Sequence, residues 1–333
     1  MAPTVLCRGE ADLDEAAGIL RAGGLVAFPT ETVYGLGADA ANPAAVARIF
    51  QAKGRPADHP VIVHLPDTAV LPEWVRAVPE PARALAAAFW PGPLTLILER
   101  AARVPDAVTG GQDTVGLRVP AHPLALGLLE RFGSGIAAPS ANRFGRISPT
   151  CALHVIEALG DRIDAVIDGG PCPVGIESTI VDLSGNRPRV VRPGMITMAE
   201  IATVLNCDLE AMGRGGLRAP GALPSHYAPT TPLRLVARGD LERVAAGLHG
   251  EGRRIGVLAI GPGPAPLPAA LPQRTLPASP KGVAHELYTA LHELDAMALD
   301  LILAECPAAE DAWAGIADRL GKAAAASEGP GRR

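Results

Sequence analysis

The chain has 333 residues, 48% of them hydrophobic and only 3% aromatic, which suits one large or two ordinary globular domains with cores built from Ala, Val, Leu and Ile. A net charge of -5, with 17 basic against 21 acidic side chains over residues 1–206, argues against a general nucleic-acid binder. Acidic residues at 10, 12, 14 and 15 predict no signal peptide, the lack of an apolar run of about 18 residues predicts no membrane span, and scattered cysteines without a Cys-x-x-Cys pair read as reduced thiols of a cytoplasmic protein.

Helical periodicity over 12–22 stops at Gly23-Gly24, and Leu25-Val26-Ala27-Phe28 reads as a short buried strand cut off by Pro29. A hydroxyl-rich turn and the glycines Gly35-Leu36-Gly37 follow. Asn42-Pro43 then opens a helix whose apolar face is Val46, Ile49 and Phe50. Lys53 therefore falls at a helix end, expected to face solvent, with Arg55 two residues on. Only Lys281 and Lys322 share its residue type, so a chain that otherwise writes Arg has kept a Lys here. Strand, hydroxyl turn, glycines, helix and two cations in this order suit a grip on an anion, most simply a phosphate. Further strands are expected at 61–65, 94–98, 115–119, 136–138, 165–167 and 179–183. Ser148-Pro149 opens a helix that Gly160 closes, and Thr197 with Glu200 forms a capping box for another.

Regular periodicity disappears between 207 and 232, where Gly213, Gly215, Gly216, Pro220, Gly221, Pro224, Pro229 and Pro232 crowd together. That is a linker by composition, yet it carries Ser225-His226-Tyr227-Ala228-Pro229, a polar-aromatic cluster odd for a spacer. Beyond it a strand at 233–236, a helix at 241–249 and a strand at 255–260 make a β-α-β pattern. A Pro-rich loop (262–280), a helix (283–298), a strand (300–304) and a helix (312–326) follow. The expected organisation is a first α/β domain at 1–206, a linker at 207–232, a smaller Rossmann-like α/β domain at 233–326 and a tail at 327–333.

Polar residues gather at the strand ends, where ligands of α/β sheets usually bind: Thr30, Thr32, Lys53, Arg55, His64, Arg118, Ser140, Asn142, Ser178 and Arg192. Each has a plain structural explanation. Lys53 and Arg55 could be a solvated helix end, Ser140 and Asn142 a local turn, and His64 a satisfied core histidine. Arg118 inside an apolar strand is more telling, because a half-buried Arg needs an anionic partner. No Gly-x-Ser-x-Gly elbow surrounds Ser178, and no Walker loop or dinucleotide fingerprint is present, so any ATP site is of another kind.

Seven segments lie in a recognisable order: Pro29-Thr30-Glu31-Thr32-Val33-Tyr34-Gly35-Leu36, Lys53-Gly54-Arg55-Pro56, Trp90-Pro91-Gly92-Pro93-Leu94-Thr95, Arg118-Val119-Pro120, Pro139-Ser140-Ala141-Asn142, Glu177-Ser178-Thr179-Ile180 and Arg192-Pro193-Gly194. Together they resemble the YrdC-like family over about residues 9–200. Ser225-His226-Tyr227-Ala228-Pro229 and the C-terminal domain are similar to the family's long form.

The resemblance implies a twisted mixed α/β sheet with a concave, positively charged cavity. It also implies formation of L-threonylcarbamoyladenylate from L-threonine, bicarbonate and ATP with release of pyrophosphate, the first step of N6-threonylcarbamoyladenosine formation at position 37 of tRNA. By motif, Thr32, His64, Arg118 and Ser178 hold threonine, with Arg118 on its carboxylate. Lys53, Arg55, His59, Thr114, Ala138, Ser140, Asn142 and Arg192 surround the nucleotide, and Mg2+ rides on the phosphates without protein side-chain ligands. Tyr227 folds over the cavity as a lid, or else glues the linker to the protein surface. The family commonly has Asn where this chain has His59. The product passes to a tRNA threonylcarbamoyl transferase, with no stable nucleic-acid binding by this chain. An RNA-binding module of the same pathway is the alternative, and the acidic charge weighs against it. A hydrogenase-maturation domain is a further one, and the missing Cys-x-x-Cys weighs against that.

Overall fold

The computed structural model describes residues 4–6, 10–210, 217–221, 223, 225–262 and 271–327. Cys7, Gly213, Gly215, Gly216, Pro224, residues 263–270 of the Pro-rich loop and residues 328–333 of the tail lie outside the described residues. The chain divides into two compact units. One comprises Met1–Phe144, Pro149–Pro173 and Glu177–Ala222; the other comprises Gly145–Ser148, Val174–Ile176 and Leu223–Arg333.

The described residues of the first unit contain ten strands: β1 (Thr4–Leu6), β2 (Val26–Phe28), β3 (Gly35–Asp39), β4 (Ile62–His64), β5 (Leu94–Glu99), β6 (Thr114–Arg118), β7 (Ile136–Ala137), β8 (Ala165–Ile167), β9 (Thr179–Asp182) and β10 (Arg189–Arg192). They form one mixed sheet in the order β1-β8-β2-β3-β7-β4-β6-β5-β9-β10. The pairs β1/β8, β2/β8, β4/β6 and β5/β9 are parallel and the others antiparallel.

Side chains alternate across a strand, so each face of this sheet has its own composition. One face presents Ala27, Leu36, Val63, Leu117, Leu96 and Val181. Four helices cover it: Pro43–Lys53, Glu80–Phe89, Ala152–Leu159 and Met198–Leu205. Val26, Phe28, Ile136 and Ile167 point the other way, under the helices Glu10–Arg21 and Pro123–Phe132. On that second face β4, β6, β5 and β9 carry no helix among the described residues. Ile62, Ile97 and Ile180 instead pack with Ala219 of the segment after residue 216.

Local signals account for most boundaries. The Asn42 side chain caps Ala44 and Ala45, Pro43 fills the first helical position, and Gly54 ends the helix in the left-handed region at φ 63°. Thr197 and Glu200 form the expected capping box. Gly35-Leu36-Gly37, for which the sequence suggests no strand, begins β3. A Cβ on Gly37 would lie 2.9 Å from both Ile136 Cγ2 and Phe28 Cε1, so the glycines admit close neighbours across the sheet. The helix at 80–89 lacks a side-chain cap, and that at 123–132 is capped by a His122 ring nitrogen, so neither announces itself in the sequence.

In the second unit β11 (Leu233–Val236), β12 (Ile255–Ile260), β13 (Gln273–Leu276) and β14 (Leu301–Glu305) pair in parallel as β11-β14-β12-β13. Helices Leu241–Gly250, Pro280–Asp295 and Ala314–Ala325 connect or flank them. β13 lies inside the expected Pro-rich loop. Its polar Gln-Arg-Thr-Leu run sits at the sheet edge, where a strand needs no apolar alternation.

Gly37→Ala is expected to destabilise the first unit by about 1–3 kcal/mol, the usual range for overpacking a core. Urea denaturation measures this; a variant as stable as the parent would mean that β3 and β7 can part without loss.

Candidate active site

The register of the sheet collects the polar residues. In β4 and β6, Ile62 stands opposite Gly116 and His64 opposite Arg118. In β5, β9 and β10, Thr95 pairs with Ile180 and Ile180 with Arg192. Two-residue spacing adds Thr114 ahead of Gly116 and Ser178 ahead of Ile180. All of these share the helix-free face. A small cavity there is lined by Ile62, Thr95, Gln112, Thr114, Arg218 and Pro220, among others. The segment 217–220 is fastened beside it. Gln112 Nε2 donates to Arg218 O (2.9 Å), Arg218 N donates to Gln112 Oε1 (2.8 Å), and Arg192 Nη1 donates to Pro220 O (3.1 Å).

Arg118 is buried at 4% exposure, and its anionic partner is Glu31, with 2.7 Å between Nη2 and Oε1. Nη1 donates to Thr32 Oγ1 (2.8 Å) and Nε donates to Gly92 O (3.2 Å). Glu31 Oε2 accepts from Ala121 N at 3.0 Å. Thr30 Oγ1 donates to Val33 O (2.6 Å) and lies 2.8 Å from Thr32 Oγ1, so Thr32 must donate in that contact. A directed chain results, from Arg118 to Thr32 to Thr30 to a carbonyl.

His64 faces the edge of the Phe28 ring. Burial first, and Arg118 second, push its pKa from 6.5 down to about 3, against the pull of the Ile136 and Ile62 carbonyls. It is a neutral imidazole throughout the physiological range.

Ser178 belongs to a second group. Its Oγ lies 2.8 Å from Thr95 Oγ1 and accepts from Arg192 Nη2 at 3.0 Å, while Arg192 Nε donates to Ser178 O, also at 3.0 Å. Hydrogen bonds thus tie Ser178 to Arg192, whereas Thr32, Arg118 and His64 form a cluster of their own.

Lys53 does not face solvent. It is 2% exposed, and its Nζ donates to Ser140 O (2.6 Å), Asn142 O (2.5 Å) and Asn142 Oδ1 (3.2 Å). Ser140 Oγ donates to the same Asn142 Oδ1 at 2.6 Å, and Phe144 N donates to Lys53 O at 2.9 Å. Burial, then Arg55, push the ammonium well below the usual lysine range, while Glu177 pulls it back. Three oxygen contacts call for three N–H donors, so the group is charged in this arrangement. The turn at 139–142 is thereby pinned to the end of the helix Pro43–Lys53. Arg55 is buried, donates to Pro60 O (2.7 Å) and lies over the Phe144 ring. His59 packs edge-on against Phe144, its pKa lowered by burial first and by Arg55 second. Ala138 is buried, with its N donating to Ile62 O at 2.9 Å.

Tyr227 belongs to the second unit, where it is 1% exposed, adopts φ 60°, packs with His226 and Tyr288, and lies under the Arg319 guanidinium at 5.1 Å. Within its own unit the ring is thus an interior side chain.

The Sua5/YciO/YrdC model, described as telomere recombination, matches residues 18–194. The chain belongs to the Sua5/YciO/YrdC family. A second model, described as the C-terminal domain of threonylcarbamoyl-AMP synthase, matches residues 196–325. Among curated relatives in the family, the threonylcarbamoyl-AMP synthase of Pyrococcus abyssi is 41% identical over 319 residues, covering 92% of each chain. That of Bacillus subtilis is 41% identical over 334 residues, covering 96% of this chain and 94% of the relative. The crystal structure of P. abyssi Sua5 complexed with L-threonine superimposes with a TM-score of 0.91 at 39% identity, covering 98% of each chain.

Two residues that contact the candidate site residues are not singled out by the sequence: Glu31 pairs with Arg118, and Thr95 lies against Ser178. Both lie within the seven motifs, without a role being given to either. The half-buried Arg118 was the available signal for Glu31, since it demanded an anion.

Two measurements test this geometry. Lys53→Ala is expected to lower stability by about 1–3 kcal/mol, because buried carbonyls lose their donor; an unchanged urea midpoint would return Lys53 to the protein surface. His64 binds its proton more weakly folded than unfolded, so its contribution to stability is complete above pH 6.5 and is lost as the pH falls from there toward about 3. His64→Gln should flatten the stability profile between those values; an unchanged slope would contradict a buried neutral ring.

Proposed function

We infer that this chain is an enzyme that makes threonylcarbamoyl-AMP, the first step in threonylcarbamoylation of tRNA. The observation that carries the reading is the likeness, over nearly the whole chain, to relatives named for that product and to a family structure complexed with L-threonine. That complex also favours synthesis over an RNA-binding module. In finer terms the reaction is a nucleotidyl transfer: L-threonine, bicarbonate and ATP give the adenylate, pyrophosphate and water.

The chemistry asks for positioning and charge neutralisation more than for a protein nucleophile. The threonine amine and bicarbonate form a carbamate, with loss of water. A carbamate oxygen then attacks the α-phosphorus, and the bond to the β-phosphate bridge breaks as pyrophosphate leaves. The Thr32, His64 and Arg118 cluster receives threonine, with Arg118 toward its carboxylate. Ser178, hydrogen-bonded to Arg192, joins the amino-acid group to the nucleotide group. Lys53, Arg55, Ser140, Asn142 and Arg192 face the phosphates and ribose, with His59, Thr114 and Ala138 at the margins. His64 stays neutral and so adds no second cation near the carbamate.

Mg2+ would be held by the phosphate oxygens of the nucleotide, the ligands this hard cation prefers. No group of three His, Cys, Asp or Glu residues sits at metal-binding distance among the described residues. When bound, the ion offsets charge on the leaving pyrophosphate. The product then goes to a transferase that acts on tRNA.

Incubating the protein with ATP, Mg2+, bicarbonate and labelled threonine is expected to yield a labelled adenylate and pyrophosphate, with serine a poor substrate because a methyl group is worth only about 1–3 kcal/mol in discrimination. Pyrophosphate release of equal rate without any amino acid would overturn the reading.

A further inference from the structure

Glu31 takes no part in the steps above, yet it is 5% exposed and carries a charge into the interior. We propose that Glu31 is a positioning residue that sets the affinity for the amino-acid substrate by fixing the Arg118 guanidinium. The proposal rests on the reading of Arg118 as the anchor of the substrate carboxylate.

Arg118 is held at three points by three oxygens: Gly92 O, Thr32 Oγ1 and Glu31 Oε1. A guanidinium has five N–H donors; Nε and Nη1 each give one hydrogen bond, and Nη2 stands in an ion pair with Glu31 without a hydrogen bond, so at least two donors remain, enough for a carboxylate in a bidentate pair. Two of the three partners are neutral oxygens that tolerate rotation of the plane. The charged one is Glu31, and it is itself immobilised, since Oε2 accepts from Ala121 N just beyond β6. The strand that carries Arg118 therefore also holds the carboxylate that aims it. Removing the charge frees the guanidinium to turn toward other acceptors, and displacement of a positioning group by about 1 Å can cost on the order of 100-fold.

A residue that merely balances buried charge would affect folding and both substrates alike. A residue that aims Arg118 would affect threonine selectively. Steady-state kinetics and equilibrium threonine binding on the full chain separate these. Glu31→Gln is expected to raise the KM for threonine about 10- to 100-fold while the KM for ATP stays within about twofold. Glu31→Asp, which keeps the charge one methylene shorter, should lie between parent and Glu31→Gln. Equal rises in both KM values, or a fall in melting temperature with threonine affinity untouched, overturn the proposal. Should Glu31→Gln fail to fold, an unchanged threonine KM in Glu31→Asp overturns it as well. Arg118→Lys tests the underlying reading by itself: intact threonine binding there removes the carboxylate anchor whatever Glu31 does. Loss in Arg118→Lys without loss in Glu31→Gln defeats only the positioning role.

Discussion

Lys53, Arg118 and Arg192 are each at most 4% exposed, and a cation in a protein interior costs several kcal/mol unless oxygens surround it. Much of the first unit is arranged to meet that demand. Lys53 draws in the 139–142 turn, Arg118 draws in Glu31, Thr32 and Gly92, and Arg192 draws in Ser178 and Pro220. Segments far apart in the chain are thereby tied to one sheet face. The same charges suit a ligand as anionic as a nucleotide triphosphate, which makes the electrostatic need of the fold and the chemistry of the site one problem.

The sheet gives that problem a place. Its first face is closed by four helices over a core of Ala, Val, Leu and Ile, and nothing polar is asked of it. Its second face is roofed by two helices over only part of its width. The remainder is the surface on which β4, β6, β5, β9 and β10 present alternate residues. A one-residue slip of β6 against β4 would turn Arg118 into the core and Leu117 into the cavity, so the core holds the site in register.

The sequence is informative wherever the cause is local. Asn42-Pro43 and Thr197 with Glu200 are read correctly because capping involves groups within four residues. Strand centres follow from apolar runs, and the order of seven motifs points to the family. The strand at Gly35-Leu36-Gly37 is not legible, because a glycine required by a close neighbour looks the same as one required by a turn. Burial of Lys53 is illegible for a different reason: its acceptors stand 87 and 89 residues away. The grouping of Ser178 with Arg192, and the edge strand β13, likewise depend on pairings that no local window contains.

The chain of hydrogen bonds from Arg118 through Thr32 to Thr30 and the Val33 carbonyl has a sense of direction. The Thr32 proton points away along that chain, and reversing it would set the guanidinium N–H against a hydroxyl proton. What Thr32 keeps for a visitor is a lone pair. The side chain therefore discriminates by hydrogen-bond polarity: it welcomes a hydroxyl or ammonium that gives a proton and is indifferent to an ether or carbonyl of the same shape. On the proposed reading of Thr32 as a contact for threonine, such a filter would tell a free β-hydroxyl from an alkylated one without relying on a steric clash.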